Sequence, residues 1–418
     1  MKTVRITQDL TTYYEAKKGN TTYILEKQAS ITSSEMVGLF GATAVEDRNF
    51  IIKGDISASQ GYGLHVGAND GTGGGVVDIA KSANVWGQTG VNLAADGQIL
   101  RNAGKIGGEY GINASGDNIR IENTGFISGS VVGLDFSFGS ATIRNDGMIT
   151  GDKNAISTFL TAGDRLKIVN TGTIDSSEYG VMLGNQDGSR TVLVNHGTID
   201  AEFWSIQANF TNSVEIIRNR GDIPSQVWLG DGNDIFDGRG GRAFYVDGGD
   251  GDDLYIVDEP LIKLGEQMNA GTDTVKSSIT WTLGANIENL VLTGTNSISG
   301  TGSDIANRIS GNSGQNTLFG LGGTDIINGG RGNDILHGGA AADTFVFATG
   351  TGHDTIADFQ DGIDLIDITG IRKINDFAQI ADAMTQNGTD VVIDLGGKDS
   401  LTIQNVTIDK LTAIDFAY

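Results

Sequence analysis

Nine residues repeated five times without interruption, from Gly302 to Val346, restrict what this chain can fold into more than anything else in it. The blocks read GSDIANRIS, GNSGQNTLF, GLGGTDIIN, GGRGNDILH and GGAAADTFV. The fourth, Gly329 to His337, satisfies G-G-x-G-x-D-x-U-x at every position, U being a large apolar residue. Glycines permit tight turns at positive φ and let backbone carbonyls converge on one point. The Asp adds a hard carboxylate oxygen, which suits calcium and its need for about six to eight oxygen ligands. The last three residues form a short strand whose middle residue (Ile309, Leu318, Ile327, Leu336, Phe345) points into a core. A flexible Gly/Asp linker would have no reason to place an apolar residue at every ninth position.

Two such blocks make one flattened coil, so every second block lies on the same edge, 18 residues apart. Asn316 is then expected to face Asp334, and Asp325 to face Asp343 on the opposite edge, with Asn307 beside Asp325. A poorer copy comes earlier: LGDGNDIFD (229–237), GRGGRAFYV (238–246) and, after the inserted Asp247, GGDGDDLYI (248–256). There Asp234 and Asp253 are 19 apart, and Ala243 replaces the carboxylate on the other edge. The candidate metal ligands are Asp234, Asp253, Asn316, Asp325, Asp334 and Asp343, with the turn backbone at Gly230, Gly232, Gly249, Gly251, Gly330 and Gly332.

A longer repeat precedes these blocks. Its marker, apolar-x-N-x-G-x-I, occurs as LRNAGKI (100–106), IENTGFI (121–127), IRNDGMI (143–149), IVNTGTI (168–174), LVNHGTI (193–199) and IRNRGDI (217–223). The Asn residues step by 21 to 25 positions, and a second strand follows each of the first five markers, opening on Gly111, Gly133, Ala155, Gly180 or Ser205. Two earlier coils run through Gly54 to Ile56 with Gly63, and through Lys81 to Val85 with Gly90. A period of this length with strand-sized alternation predicts a parallel β-helix. Asn tolerates left-handed turns and ladders between coils, so the six Asn residues are expected to be structural.

The expected class is therefore all-β: a right-handed parallel β-helix continuing, through Val227 to Leu229, into a calcium-binding parallel β-roll. The divisions are an N-terminal cap (1–48), the β-helix (49–226), a first short block (227–258), a strand-rich insert (259–301), the main roll (302–347) and a C-terminal segment (348–418). A solenoid must cover its first coil, which is the reason for the cap.

The formal charge is −24, unevenly placed: residues 1–226 hold 18 basic and 24 acidic side chains, residues 227–418 hold 10 and 28. So acidic a second half excludes nucleic acid as a partner and invites a divalent cation. Glycine makes up 63 of 418 residues and proline only 2, which excludes collagen and suits β-solenoid turns. With no cysteine, neither disulfides nor thiolate metal sites contribute. The N-terminal residues lack an apolar signal region and no run approaches a membrane span, so neither Sec export nor a membrane span is expected.

The nonapeptide resembles the calcium-binding repeat of RTX proteins. GTDTVKSSITWTLGANIENLVLTGTNSISGTG (271–302) resembles the insert between calcium blocks in secreted RTX proteins, including serralysin-like proteases. GHDTIADFQDGIDLIDITGI (352–371) and the terminal LTIQNVTIDKLTAIDFAY are similar to the segments that follow the roll there. The resemblance implies Ca2+ as cofactor, an uncleaved C-terminal signal for a type I ABC exporter, and an extracellular or cell-surface location for a Gram-negative protein. Residues 49–226 resemble in outline the pectate-lyase-like β-helices and secreted adhesin passenger domains, a likeness of fold and not of activity.

The enzymes of such a family leave no trace. The four His (65, 196, 337 and 353) form no H-E-x-x-H, and no G-x-S-x-G is present. The YGFDPH-like string of mannuronan epimerases is also missing; the nearest texts are YGLHVG (62–67) and VGLDFS (132–137). An outward stripe of His65, Asn92, Asn113, Asp135, Ser157, Met182 and Gln207 runs along the β-helix beside Tyr62, Tyr110, Tyr179 and Trp204. Arg101, Arg144 and Arg218 form a sparser one. Tyr62, His65, Tyr110, Asn113, Asp135 and Tyr179 are the candidate carbohydrate-binding residues. The expected role is adhesion, polysaccharide binding or a matrix function without catalysis. The alternative is a polysaccharide lyase or epimerase acting on uronate polymers.

Overall fold

The computed structural model describes residues 2–418 apart from 13, 17–20, 35–36, 42–47, 68–73, 210 and 373. Short strands with alternating burial dominate it, and almost every pairing is parallel. The chain divides into two units, Met1–Gly249 and Asp250–Tyr418. Each is a β-solenoid, and among the described residues no helix is long and apolar enough to cross a membrane.

In the first unit each coil gives a strand to each of two sheets. Ile119–Asn123, Ala141–Asn145, Arg165–Asn170, Arg190–Asn195 and Val214–Asn219 stack in register in one of them. Their inward positions Ile121, Ile143, Ile168, Leu193 and Ile217 are all fully buried. Each such side chain contributes about 1.5–3 kcal/mol of hydrophobic stabilisation. The marker Asn closes each strand inside the core: Asn102, Asn123, Asn145, Asn170, Asn195 and Asn219 pass an Nδ2–H···Oδ1 bond from coil to coil at 2.8–2.9 Å. The glycine two residues on is needed for close approach. A Cβ at Gly172 would sit 2.0 Å from the Gly147 carbonyl oxygen of the preceding coil.

The ladder begins earlier than the expected cap boundary. Lys2–Ile6 pairs with Thr21–Leu25, which pairs with Arg48–Ile52, so residues before 49 already supply strands to the same sheet.

In the second unit one sheet runs through Leu254–Val257, Thr274–Ser277, Asn289–Leu292, Arg308–Ser310, Ile326–Asn328, Thr344–Ala348 and Leu365–Gly370. The other runs through Trp281–Thr282, Ser299–Thr301, Thr317–Leu321, Ile335–Gly339, His353–Ile356 and Asp399–Ile403. The apolar eighth residues Ile309, Leu318, Ile327, Leu336 and Phe345 are all fully buried. The strand-rich insert is thus a set of coils in register with the nonapeptides. The parallel pattern ends in an antiparallel hairpin, Met384–Asn387 with Asp390–Gly396, beside the short helix Phe377–Ala383 that Asp376 caps.

Candidate calcium sites and the outer faces

The sixth residue of each nonapeptide sits just before its strand, where the turn folds back over it. In Asp325, Asp334 and Asp343 this places the carboxylate inside the turn, at most 1% exposed. One oxygen is fixed by the neighbouring coil: Asp334 Oδ1 accepts the Asn316 N–H at 2.8 Å, and Asp343 Oδ1 the Asp325 N–H at 2.9 Å. The other oxygen, Oδ2, is buried with no donor in all three. It occupies the space left by the glycine that opens its own block. A Cβ on Gly320, Gly329 or Gly338 would lie 2.1–2.4 Å from that Oδ2. A desolvated carboxylate oxygen without a donor is costly unless a cation meets it. The arrangement suits a hard divalent ion.

The glycines of these turns have the conformation that the motif demands. Gly330 and Gly332 stand at φ of 90° and 135°, Gly230 and Gly232 at 96° and 131°, Gly249 and Gly251 at 95° and 134°. Each pair repeats the same backbone, which a β-carbon would strain.

Asn316 differs from the facing partner expected for Asp334. Its N–H meets that carboxylate, but its Oδ1 accepts the Asn312 N–H at 2.8 Å and its Nδ2 donates to the Ile298 carbonyl at 2.8 Å. Asn307 is engaged likewise, with Ser303 and Ile287. An amide in the sixth position satisfies itself against the preceding coil.

The carboxylate ladders also run beyond the nonapeptides. Asp354 Oδ1 accepts the Asp334 N–H and Asp364 Oδ1 the Asp343 N–H, both at 3.0 Å. Asp399 then accepts from Gly350 and Gly352. Upstream, Asp273 Oδ1 accepts the Asp253 N–H at 2.9 Å, and Glu288 Oε2 the Asp273 N–H at 2.8 Å. Asp253, Glu266 and Asp273 bring carboxylate oxygens within 4.8 Å of one another, and the Tyr255 hydroxyl donates to Glu266. Asp273 and Asp354 each hold a buried Oδ2 with no donor. None of Asp273, Glu266, Asp354 or Asp364 stood out by nine-residue spacing. An acid followed by one spacer and an apolar residue would have found three of them (DTV at 273, DTI at 354, DLI at 364).

Of the expected pair, Asp234 belongs to the first unit and Asp253 to the second. Asp234 Oδ1 accepts the Glu215 N–H at 2.8 Å. Glu215 is fully buried, held by Asn185 and Ser213, and burial pushes its carboxyl up to about 7.

Burial likewise raises the carboxyls of Asp325, Asp343, Asp354 and Asp273 to about 6 and that of Asp334 to about 7, and a neighbouring carboxylate adds to the rise in each. With folded values above the unfolded one, the metal-free unit binds more protons folded than unfolded between about pH 4 and 7. Its stability is therefore greatest at the acid end and falls as pH rises through 6 to 7. A cation needs these groups ionised, so its affinity rises over the same window and its binding expels protons. Calorimetric titration near pH 6 in two buffers of different ionisation heat should give different apparent enthalpies. Equal enthalpies would show that the carboxylates are already ionised.

On the first unit the candidate sugar-binding residues fall into two rows. His65, Asn92, Asn113, Asp135, Ser157, Met182 and Gln207 stack in register, one per coil. Tyr62, Thr89, Tyr110, Val132, Asn154, Tyr179 and Trp204 form the row beside them. His65 Nδ1 lies 2.6 Å from Asn92 Nδ2, and its ring centroid 5.2 Å from that of Tyr62. Burial lowers the His65 pKa and raises that of Asp135, the latter opposed by a bond from Ser157.

The family model of the RTX calcium-binding nonapeptide repeat matches this chain four times, at residues 226–244, 301–336, 310–345 and 319–356. These repeats bind calcium, and a buried carboxylate with a stranded Oδ2 has the chemistry that a hard divalent ion would satisfy. Two proteins of Rhizobium meliloti (strain 1021) are similar in part. Endo-1,3-1,4-beta-glycanase ExsH is 40% identical over 186 residues, 44% of this chain and 37% of its own length. Endo-1,3-1,4-beta-glycanase EglC is 38% identical over 170 residues, 41% of this chain and 34% of its own. The chain thus spans little more than a third of the curated relatives it matches. Among solved structures, the extracellular lipase LipA from Serratia marcescens is similar over 56% of this chain and 45% of its own, at 18% identity and a TM-score of 0.25.

Proposed function

We propose that this carrier of RTX repeats is a secreted protein, folded by external calcium, that binds extracellular polysaccharide without cleaving it. Its calcium sites need concentrations found outside cells, since extracellular modules of this kind bind at about 10⁻⁴ to 10⁻³ M. Export by a type I ABC transporter that reads the C-terminal residues would deliver it there. The glycan-related names of the partial relatives agree with a carbohydrate ligand.

The observation that carries the non-catalytic reading is the composition of the in-register stripe. Proton abstraction from a sugar needs a base set against an acid or a neutralising cation. His65 is engaged by Asn92 and Tyr62, and the next ionisable group in its row, Asp135, follows only after Asn92 and Asn113. The row offers polar contacts and its neighbour offers rings, which serve sugar stacking and hydrogen bonding.

Calcium-loaded protein should therefore be retained by alginate, pectin or 1,3-1,4-β-glucan while generating neither unsaturated products nor new reducing ends. Steady product formation that disappears in His65→Ala would establish the lyase or epimerase reading instead.

A further inference from the structure

Two grooves on the first unit carry opposite charge. On the sheet that holds the Asn ladder, one outward row reads Arg120, Thr142, Lys167, Val192 and the next reads Glu122, Arg144, Val169, Val194, Arg218. Arg165 and Arg190 stand side by side where their strands begin. These positions hold six cations and one carboxylate, Glu122, which is already paired with Arg101 and Arg120. Arg144 is held by Asp146 at 2.8 Å. Arg165, Lys167, Arg190 and Arg218 are exposed and form no ion pair among the described residues. The nearby Asp164 spends one oxygen on the backbone of Gly139 and Thr161, and Asp117 on Ser140.

The four cations, with Arg120, line a single groove of about 720 Å3 whose floor includes Val192 and Val194. On the other sheet Asp175 and Asp200 stack in register and, with Asp152 and Glu202, line a groove of the opposite sign. Such segregation, in a chain with a net charge of −24, leaves a cationic strip whose self-repulsion only an anion can relieve.

We propose that the groove of Arg120, Arg165, Lys167, Arg190 and Arg218 binds an acidic polysaccharide of the uronate type, laid along the stack of coils. This rests on the carbohydrate-binding reading and supplies its ligand class and a face distinct from the tyrosine stripe. Neighbouring coils stand about 4.8 Å apart, close to the length of one sugar ring, so successive coils meet successive residues of an extended polymer. Guanidinium groups take carboxylates in bidentate fashion, and the valine floor offers a place for the apolar faces of the rings.

The test is binding of hyaluronan, a uronate polymer that calcium does not gel, by the full chain in calcium buffer. Neutral 1,3-1,4-β-glucan, duplex DNA and anionic phosphatidylserine vesicles are measured alongside. Hyaluronan should bind in a salt-sensitive manner, and R165A/R190A should raise its Kd on the order of tenfold, with R165K/R190K intermediate and all melting as the parent does. Should the double variant fold poorly, Arg190→Gln serves alone and should weaken binding several-fold. Binding of the glucan but not hyaluronan would overturn the groove and leave the carbohydrate reading standing. Binding of neither would overturn the groove, and absence of retention by alginate and pectin as well would overturn the carbohydrate reading. Hyaluronan binding unchanged in the Arg variants, or DNA or vesicles bound as tightly through the same arginines, would also overturn the proposal.

Discussion

Above about pH 7, where the buried carboxylates ionise, chelating calcium should unfold the Asp250–Tyr418 unit and leave the Met1–Gly249 unit folded. Residues 250–418 hold 8 basic and 24 acidic side chains, a net of −16. The buried Oδ2 atoms of Asp273, Asp325, Asp334, Asp343 and Asp354 have no donor to replace lost water. Without metal, folding therefore desolvates carboxylates for no return. With a Kd of about 10⁻⁴ M and external calcium of about 1 mM, each site adds roughly 1.4 kcal/mol by mass action. Four sites add on the order of 6 kcal/mol, comparable with the entire stability of a domain. The first unit draws instead on its Ile and Leu stack and its Asn ladder. Limited proteolysis in EGTA and in millimolar calcium reads the difference, and a second unit equally resistant in both would refute the scheme. Asp334→Ala supplies the local version: it should remove one ion from the stoichiometry found by calorimetry, and an unchanged count would reject Asp334 as a ligand.

Replacing Asn170 with alanine should destabilise the first unit by about 2–4 kcal/mol, although the residue contacts no ligand. Its Nδ2 donates to Asn195 Oδ1 at 2.8 Å and to the Thr198 carbonyl at 3.0 Å, and its Oδ1 accepts from Asn145 at 2.8 Å. All three Asn residues are fully buried. Truncation removes one donor from the Thr198 carbonyl and weakens the satisfaction of both neighbours, in a place that water does not reach. Thermal unfolding in calcium, following the first unit, measures the cost. A change below about 0.5 kcal/mol, the scatter of surface substitutions, would mean that the ladder adds nothing beyond its apolar neighbours.

Periodicity made much of this molecule legible. The eighth residue of each nonapeptide is buried because nine residues and a half-coil coincide, and the marker Asn residues meet because each closes an equivalent strand. Legibility failed where the ruler changed. Asp273, Glu288 and Asn307 are 15 and 19 residues apart, and Asp334 and Asp354 are 20 apart, so a fixed step of 18 passes over most of the ladder. The basic groove was hidden for another reason. Arg165 and Arg190 open their strands outside the marker, and only the register shows that they adjoin Lys167 and Arg218 on one face. The segment before residue 49 shows neither repeat clearly, yet pairs as coils because β-ladders require only backbone and alternation.

The bonds that orient seven of the buried or half-buried acids along the second unit's coils all point the same way along the chain. Asp273, Glu288, Asp325, Asp334, Asp343, Asp354 and Asp364 each receive their fixing N–H from an earlier coil and never from a later one. Every coil is thus a template for its successor. Stripping coils from the C-terminal side leaves the remaining carboxylates aimed, whereas loss of an upstream coil releases the acid of the next. The roll resembles a zipper with one working end, and order entering at the N-terminal side of the unit can advance one ion and one turn at a time.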